Sequence, residues 1–510
     1  MANESIKTQE KSTNTQEETE GYSHVVKYAG LFGGVQGLNI LIGILRNKLV
    51  ATILGPAGMG LISLFNSTIS FVSNSTNLGI SMSAVRNLSE AFDRKDETEM
   101  RRIVTVVRSW SLFTALLGLF ICAILAPVLN DLTFDWGDHT LHFVLLSPVV
   151  ALLAVTGGET AILKATRRLR GLATISVYHV MASLLISIPL YILFGEKGIV
   201  PSLILAALAQ LLLTIIYSYK YFPPTLTFNR HTMQEGTGMV KLGIAFVSAG
   251  ILGSGAEFLI RSFLNNNASL EIVGLYSAGY MMTMTYAGMV FSAMETDYFP
   301  RLSSVNQNTE QTNLTANRQM EVSLLLVAPL LVLFTIAMPI LVPLLYSGKF
   351  TPVMGMVQIT VLAMYLRAIK LPVAYIPLAK GDSRSYLLLE AIYDIVLVVF
   401  IIIGYQCWGL TGCGIALLGA GVVDMILIFS YAHYRYGYII SANVKRYSCI
   451  HLPIGILAYL TTFIDHAAVY WTTGLLLTLL SGGVSLSILR KKTSLWASLS
   501  NKIKRKFGHD

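Results

Sequence analysis

The strongest constraint in this chain is one long alternation. Apolar stretches of roughly 20 to 27 residues, each long enough to cross a bilayer, follow one another from about Val25 to Leu489. Short polar links separate them. A chain patterned this way is expected to fold as an all-α polytopic membrane protein. Its function must then be one that a helical bundle performs on a molecule crossing or sitting in a bilayer. Charged residues make up only 13% of the chain and apolar residues 54%, whereas a soluble protein carries about a quarter charged residues. Mean hydropathy is +0.62. The net charge of +9 sits in the links and the C-terminal tail, so no nucleic-acid partner is expected.

About fourteen helices are predicted, near 25–54, 57–85, 104–130, 140–163, 171–194, 198–222, 238–264, 270–298, 319–346, 352–379, 384–406, 409–437, 447–465 and 468–489. Alternate links differ sharply in basic charge. One set, which includes both tails, holds 29 Lys and Arg residues; the other holds only Lys197 and Lys349. The positive-inside rule then places both termini in the cytoplasm and requires an even number of crossings. The polar segment 1–21 has no basic region followed by an apolar core, so a cleaved signal peptide is not expected, and the tail is expected to be disordered. The four cysteines show no metal-ligand spacing; Cys122 and Cys413 fall in spans and read as small apolar filler. No cofactor is expected.

The chain also matches itself at an offset of about 215 residues. Lys27 corresponds to Lys241, Arg46 to Arg261, Gly60-Leu61-Ile62-Ser63 to Gly274-Leu275-Tyr276-Ser277, and Arg86-Asn87-Leu88-Ser89 to Arg301-Leu302-Ser303-Ser304. An offset of six helices preserves orientation, so two six-helix lobes would be related by a pseudo-two-fold axis along the membrane normal. The organisation read from this is a tail at 1–21, an N-terminal lobe at 22–222 and a cytoplasmic linker at 223–237. A C-terminal lobe follows at 238–437, then an extra helix pair at 438–489 and a basic tail at 490–510.

The join between the first two spans reads Leu54-Gly55-Pro56-Ala57-Gly58-Met59-Gly60-Leu61, followed by Asn77-Leu78-Gly79-Ile80 and Val85-Arg86. With the helix count, the two lobes and the basic links, this resembles the polysaccharide flippases of the multidrug/oligosaccharidyl-lipid/polysaccharide exporter superfamily. The likeness is greatest to O-antigen and enterobacterial-common-antigen type translocases. The resemblance implies two lobes forming a V around a central cavity and alternating access. It also implies movement of undecaprenyl-diphosphate-linked oligosaccharide across a bacterial inner membrane, with polysaccharide polymerase machinery as a candidate partner. The extra terminal pair departs from the twelve helices of many O-antigen flippases; the lipid II flippases have fourteen. As local structure, the Gly-Pro-Ala-Gly-Met-Gly run is a tight turn.

Charges inside spans single out the candidate site, because a charge at bilayer depth costs several kcal/mol unless it faces a cavity or a partner. Arg46 and Lys48 lie in the outer half of the first span, and Arg261 takes the matching place in the seventh. Guanidinium offers paired donors that fit phosphate oxygens, so Arg46 and Arg261 are the leading diphosphate ligands. Lys48 is a further ligand or snorkels to the surface; Arg261 alternatively pairs with Glu257 one turn away. Arg367 and Lys370 share a face near the centre of the tenth span, as further diphosphate ligands or as partners of Asp394 or Asp424. Glu390 and Asp394 are one turn apart in the eleventh span. Two like charges on one face favour sharing a proton, so Glu390, Asp394 and Asp424 are the coupling candidates, with structural pairing to Arg367 or Lys370 as the other reading.

His179 reads as a core histidine, Glu295 and Asp297 as groups at a cytoplasmic helix end. Tyr280, Tyr286, Tyr365 and Tyr375 read as packing residues that could also stack on sugar rings. Pro329, Pro339, Pro343, Pro372 and Pro377 read as kinks. No nucleotide-binding loop, nucleophilic constellation or metal spacing is evident. The reading is a transporter, not an enzyme. The alternatives are an ion-coupled multidrug antiporter of the same superfamily, which would favour carboxylates in the N-terminal lobe, and a membrane glycosyltransferase or polymerase, which would need a larger extramembrane loop.

Overall fold

The computed structural model describes residues 37–135 and 137–492, with backbone alone for a few residues in 242–297 and for 492. Among the described residues every regular element is helical. Helix α1 covers 37–53. It is followed by α2 (Gly55–Thr76), α3 (Ile80–Asp93), α4 (Glu97–Thr133), α5 (Thr140–Ala165), α6 (Leu169–Phe194) and α7 (Ile199–Tyr219). Then come α8 (Arg230–Asn267), α9 (Leu270–Tyr280), α10 (Met289–Ser304), α11 (Thr309–Leu345), α12 (Met354–Ala374) and the short α13 (Ile376–Ala379). The chain closes with α14 (Ser383–Tyr436), α15 (Ala442–Thr461) and α16 (Ala467–Lys492). The tail expected at 1–21, Lys27, and all but the first three residues of the tail expected at 490–510 lie outside the described residues; those three end α16.

Among the described residues eight helical stretches are long and apolar enough to cross a membrane, and the chain is an integral membrane protein. Two of them, Leu169–Tyr219 and Ser383–Tyr436, run for 51 and 54 residues. At 1.5 Å per residue each could cross a 30 Å hydrocarbon core about twice. Each breaks midway, the first at a 3₁₀ turn over Gly195–Gly198, the second at Trp408 and Gly409, where Gly409 takes φ +58°. Large apolar side chains such as Leu185, Ile192, Ile216, Ile395 and Leu475 stay more than half exposed along these helices, as a lipid-facing surface requires.

Two predicted spans are interrupted. The stretch 57–85 is two helices, because Leu78 and Gly79 adopt left-handed backbone (φ 53° and 67°). A side chain on Gly79 would collide with the main chain of Gly243 in α8. The stretch 270–298 is broken by a π-helical turn over Met281–Ala287; such turns re-aim side chains and cluster at functional sites. By contrast, the proline-bearing α11 is helical from Thr309 to Leu345.

The chain divides into two compact units interleaved in sequence. Of the described residues, the first holds those up to 53, 76–126 and 141–244; the second holds 54–75, 127–140 and those from 245 on. The first has an apolar core of Ile80, Ala84, Leu88, Val104, Val107, Ile162 and neighbours from α3, α4 and α5. In the second, α11 packs against α12, α15 and α16, with Val332, Ile336, Ile454, Ala458 and Tyr470 fully enclosed. Helices α15 and α16 are also tied by His451, fully buried, whose ring nitrogens lie 3.3 and 3.4 Å from the Ser481 and Ser485 hydroxyls.

The internal repeat acquires a geometric expression in the second unit. Gly60 of α2 packs backbone to backbone against Gly274 of α9, its own counterpart in the repeat. One turn on, Ser63 Oγ lies 2.6 Å from the hydroxyl of its counterpart, Ser277. Equivalent residues of two copies meet in this way only on the axis that relates the copies. Glycine is needed at both positions: a Cβ on Gly60 would enter the Leu270 carbonyl, and one on Gly274 the Pro56 carbonyl.

Candidate functional site

The second unit gathers most of the charged residues singled out in the spans. Helix α12 carries Arg367 and Lys370, and α14 carries Glu390 and Asp394. Beyond its break α14 also carries Asp424, and α8 carries Glu257 and Arg261. Lys370 forms an ion pair with Asp424, whose side chain is 3% exposed, and its ammonium lies 4.7 Å from the Tyr393 ring centre. Of the alternatives for Lys370, pairing with Asp424 is therefore realised in this structure. Lys370 also lies in the field of Arg367, Glu390 and Asp394.

Arg367 is placed differently. Its guanidinium lies 5.5 Å from the Phe291 ring centre, and Nη1 approaches the Met284 sulfur at 3.8 Å, inside the π-helical turn. Among the described residues no carboxylate pairs with it. Glu390 and Asp394 likewise form no salt bridge or hydrogen bond through their side chains among the described residues, although both are only partly exposed. Asp394 reaches toward α8 near Gly253 and shares its field with Glu390 and Glu257. The side chains of Tyr286, Glu295 and Asp297 lie outside the described residues.

Arg261, 8% exposed, is engaged on two sides. Nε donates to Ser63 Oγ at 2.7 Å, while Nη1 donates to the Glu257 carbonyl and carboxylate at 3.1 and 3.0 Å. The helical i,i+4 pairing with Glu257 is present, and Ser63, the hydroxyl on the repeat axis, is the second partner. Tyr276 and Tyr280 stack beside them with ring centres 6.0 Å apart. Tyr365 is enclosed and donates to the Ala328 carbonyl at 3.2 Å, which makes it a packing residue here.

In the first unit, Arg46 donates from Nε to Ser187 Oγ on α6 at 3.5 Å, and Asn39 donates to Ser176 at 2.6 Å on the same pair of helices. Lys48 lies half-buried one turn from Thr52, whose hydroxyl donates to its carbonyl. His179, also on α6, lies in the field of Arg46, and its Nδ1 is buried without a partner.

The best-satisfied polar group was not among the site candidates. Arg108 of α4 and Glu159 of α5 are each 3% exposed and form a two-pronged ion pair, Nε–Oε1 2.7 Å and Nη2–Oε2 3.2 Å. Ser218 Oγ donates to Glu159 at 2.5 Å. Arg108 donates to the Pro223 carbonyl from Nη1 at 2.6 Å and to Phe222 from Nη2 at 2.9 Å. The Tyr219 ring covers the guanidinium at 4.6 Å. The linker continues along α4, Thr225 bonding to Thr105 at 2.9 Å and Thr227 to Ser109 at 3.0 Å. Arg102 closes the run with a forked pair to Glu235, at 3.1 and 2.7 Å. The only signal in sequence was two opposite charges inside spans; nothing in their spacing of 51 residues pairs them.

Among the described residues no group of three or more His, Cys, Asp or Glu is placed to hold a metal ion. Among the described residues the arrangement in the second unit holds a guanidinium and two carboxylates without ion-pair partners beside one neutralised lysine–aspartate pair.

Comparison with known proteins adds the lineage. A family model described as "Polysaccharide biosynthesis protein" matches residues 49–355. The Lipid III flippases of Escherichia coli (strain K12) and Shigella flexneri are each 22% identical over 378 residues, covering 70% of this chain and 86% of theirs. Among solved structures, the lipid II flippase MurJ in an inward closed conformation superposes with a TM-score of 0.65 at 14% identity, covering 91% of this chain and 99% of that one. An inward-facing multidrug resistance MATE family transporter of the MOP superfamily gives 0.64 at 15% identity, covering 80% and 96%. These likenesses establish a shared two-lobed helical fold.

Proposed function

We propose, from the premise that this chain belongs to the polysaccharide biosynthesis protein family, that it is a flippase for a lipid-linked glycan. Its substrate in this reading is an undecaprenyl-diphosphate-linked oligosaccharide, an O-antigen-like repeat unit or a related glycan, moved from the cytoplasmic to the periplasmic leaflet of a bacterial inner membrane. The chain crosses fourteen times, with both termini in the cytoplasm. The basic links support that orientation, and the curated relatives named Lipid III flippase support the substrate class.

The observation that carries the reading is Arg367. A guanidinium inside a span, left without a carboxylate among the described residues, is costly unless an anion visits it. A diphosphate is such an anion, and guanidinium meets it with paired donors. Arg46, Lys48, Arg261 and Lys370 are the further basic ligands in this reading, each exchanging its present partner for phosphate oxygens. Glu390 and Asp394, free of ion pairs, are the coupling groups, and the Asp424–Lys370 pair adjusts their field.

The test is reconstitution of the purified protein with a panel of undecaprenyl-diphosphate-linked oligosaccharides, scoring access of an external lectin or glycosidase to the glycan. Wild type should expose the glycan, and Arg367→Gln should slow exposure roughly tenfold or more at equal reconstituted abundance, the loss of one charge-assisted contact. If Arg367→Gln exposes glycan at the wild-type rate, Arg367 does not carry diphosphate binding. A wild-type protein that exposes no glycan but exchanges organic cations for protons would replace this reading with the antiporter one.

A further inference from the structure

The second unit contains a cavity of mixed polar and apolar lining apart from the charged cluster on α8, α12 and α14. It opens where the end of α10, the first four turns of α11 and the start of α15 come together, and its volume is about 1090 Å³. Its lining includes the basic Arg301 and Arg318, the acidic Glu310 and Glu321, the amides Asn313 and Gln319, and the apolar Val305, Leu314 and Val322. Polar and charged groups are set among apolar ones along this lining.

One of those groups has a buried atom without a partner, and two more have no hydrogen-bond or carboxylate partner among the described residues. Gln319 is 8% exposed, yet its amide makes no hydrogen bond among the described residues. Asn313 donates from Nδ2 to the Gly437 carbonyl at 3.0 Å, while its Oδ1 is buried with no donor. Arg318 lies exposed on the next turn with no carboxylate partner among the described residues. Their neighbour Asn317 shows what satisfaction looks like: Nδ2 donates to the Asn313 and Ile439 carbonyls, and Oδ1 accepts from Tyr438 Oη and the Ser441 amide. The walls are thus fixed by Asn317, and the unmet donors and acceptors belong to the lining. A buried amide without a partner costs about 1–3 kcal/mol, so such groups point to a polar occupant.

The chemistry of the occupant follows from what is unmet. An amide oxygen such as Asn313 Oδ1 calls for a hydroxyl donor, Gln319 offers both a donor and an acceptor, and the Arg318 guanidinium calls for an oxyanion. Beside them, α15 begins at Ala442 with Ser441 as its cap, so its first amides add positive potential at the same end of the cavity. We propose that this cavity is a binding site for a phosphorylated polyol or sugar, with the phosphate on Arg318 and the hydroxyls on Asn313 and Gln319. Two sources share that chemistry: the headgroup of a phosphatidylglycerol-type lipid, and a soluble sugar or glycerol phosphate. The site is separate from the translocation site proposed above, and its test does not depend on transport.

The test uses the full chain in two arms. In nanodiscs of mixed phosphatidylglycerol and phosphatidylethanolamine, native mass spectrometry reads which lipid is retained. In detergent, sn-glycerol 3-phosphate alone is titrated and the shift in Tm is read. Wild type should retain phosphatidylglycerol in preference, or be stabilised by glycerol phosphate, or both. Arg318→Gln should reduce the effect roughly tenfold, the loss expected for one charge-assisted contact. Gln319→Met, a substitution of similar volume, provides a second probe should Arg318 act only through general charge. Lipid retention alone assigns the source to the membrane, and stabilisation by glycerol phosphate alone assigns it to solution. If wild type shows neither effect, or if both variants match wild type in both arms, the proposal is overturned.

Discussion

Two buried ion pairs, one in each unit, have the same chemistry and opposite surroundings. Arg108–Glu159 in the first unit is sealed: each donor and acceptor that geometry allows is used, by Ser218, Phe222, Pro223 and the face of Tyr219. Lys370–Asp424 in the second unit sits in the field of charges that have no ion-pair partner among the described residues, Arg367, Glu390 and Asp394. A sealed network holds one arrangement and cannot respond to a ligand without breaking. An open one can pass charge from partner to partner at low cost, as binding and release require. The contrast sets a pair that clamps the linker to α4 against the group that the proposed function uses.

The largest effect should come from breaking the sealed pair. Glu159→Gln leaves the Arg108 charge buried with only neutral partners, a loss of about 3–5 kcal/mol for a pair so enclosed. We expect membrane abundance to fall severely and Tm in detergent to drop by several degrees. Replacing both residues by Leu and Met should recover much of the stability, because a well-packed apolar pair often matches a buried ion pair. A Glu159→Gln protein as stable as wild type would remove the basis of the comparison.

The open group should respond to a smaller degree and in a different quantity. Asp424→Asn leaves Lys370 within the field of Glu390 and Asp394, which can take over part of its neutralisation. Its loss of Tm should therefore be clearly less than that of Glu159→Gln. Asp394→Asn removes a carboxylate that has no partner to abandon, so stability should stay near wild type. If Asp394 exchanges a proton, the mutant should lose the dependence of glycan translocation on a transmembrane pH gradient, measured in the same proteoliposomes at several internal pH values. A fully retained gradient dependence with a large loss of Tm would reverse the assignment and make Asp394 structural.

The placement of helices was legible because hydropathy alone fixes where a bilayer span can lie, and the breaks at Gly195–Gly198 and Trp408–Gly409 fall between predicted spans. The interruption at Leu78-Gly79 was not, since apolar residues continue across it and the left-handed turn is set by the approach of Gly243. Nor was the π-helical turn, which depends on main-chain register; just before it, Gly279 is held against Val353 and Val357. In the site, the shared face of Arg367 and Lys370 follows from helical spacing, and Asp424 was one of two partners named for them. What spacing could not supply was which charges would be left over. That depends on which helices become neighbours, and the same ignorance hid Arg108 and Glu159.

The smallest expected effect lies at the aqueous edge of the second unit, where a paired carboxylate is neither sealed nor idle. Asp382 caps α14: Oδ1 accepts from the Ser385 amide at 3.2 Å, and Oδ2 accepts from Ser385 Oγ at 2.7 Å and from Tyr436 Oη at 2.8 Å. The cap thus joins the two ends of a helix that doubles back at Trp408–Gly409. The Ser385 and Tyr436 hydroxyls hold this carboxyl below the usual aspartate range, with the positive Arg435 adding to the effect. Because the folded value is the lower one, the ionised cap stabilises the protein fully above the unfolded value of about 3.9, and that stabilisation is lost as pH falls through the folded value. Asp382→Ala should therefore lower stability at pH 6 by the modest amount expected for a lost cap, about 1 kcal/mol, seen as a small fall in Tm. The deficit should shrink as the pH is taken below about 4, where wild type loses the same charge. Thermal melts of both proteins in detergent across that range decide it: a deficit of equal size at pH 6 and pH 3 would mean that the hydroxyl bonds, and not the charge they stabilise, hold the two ends of α14 together.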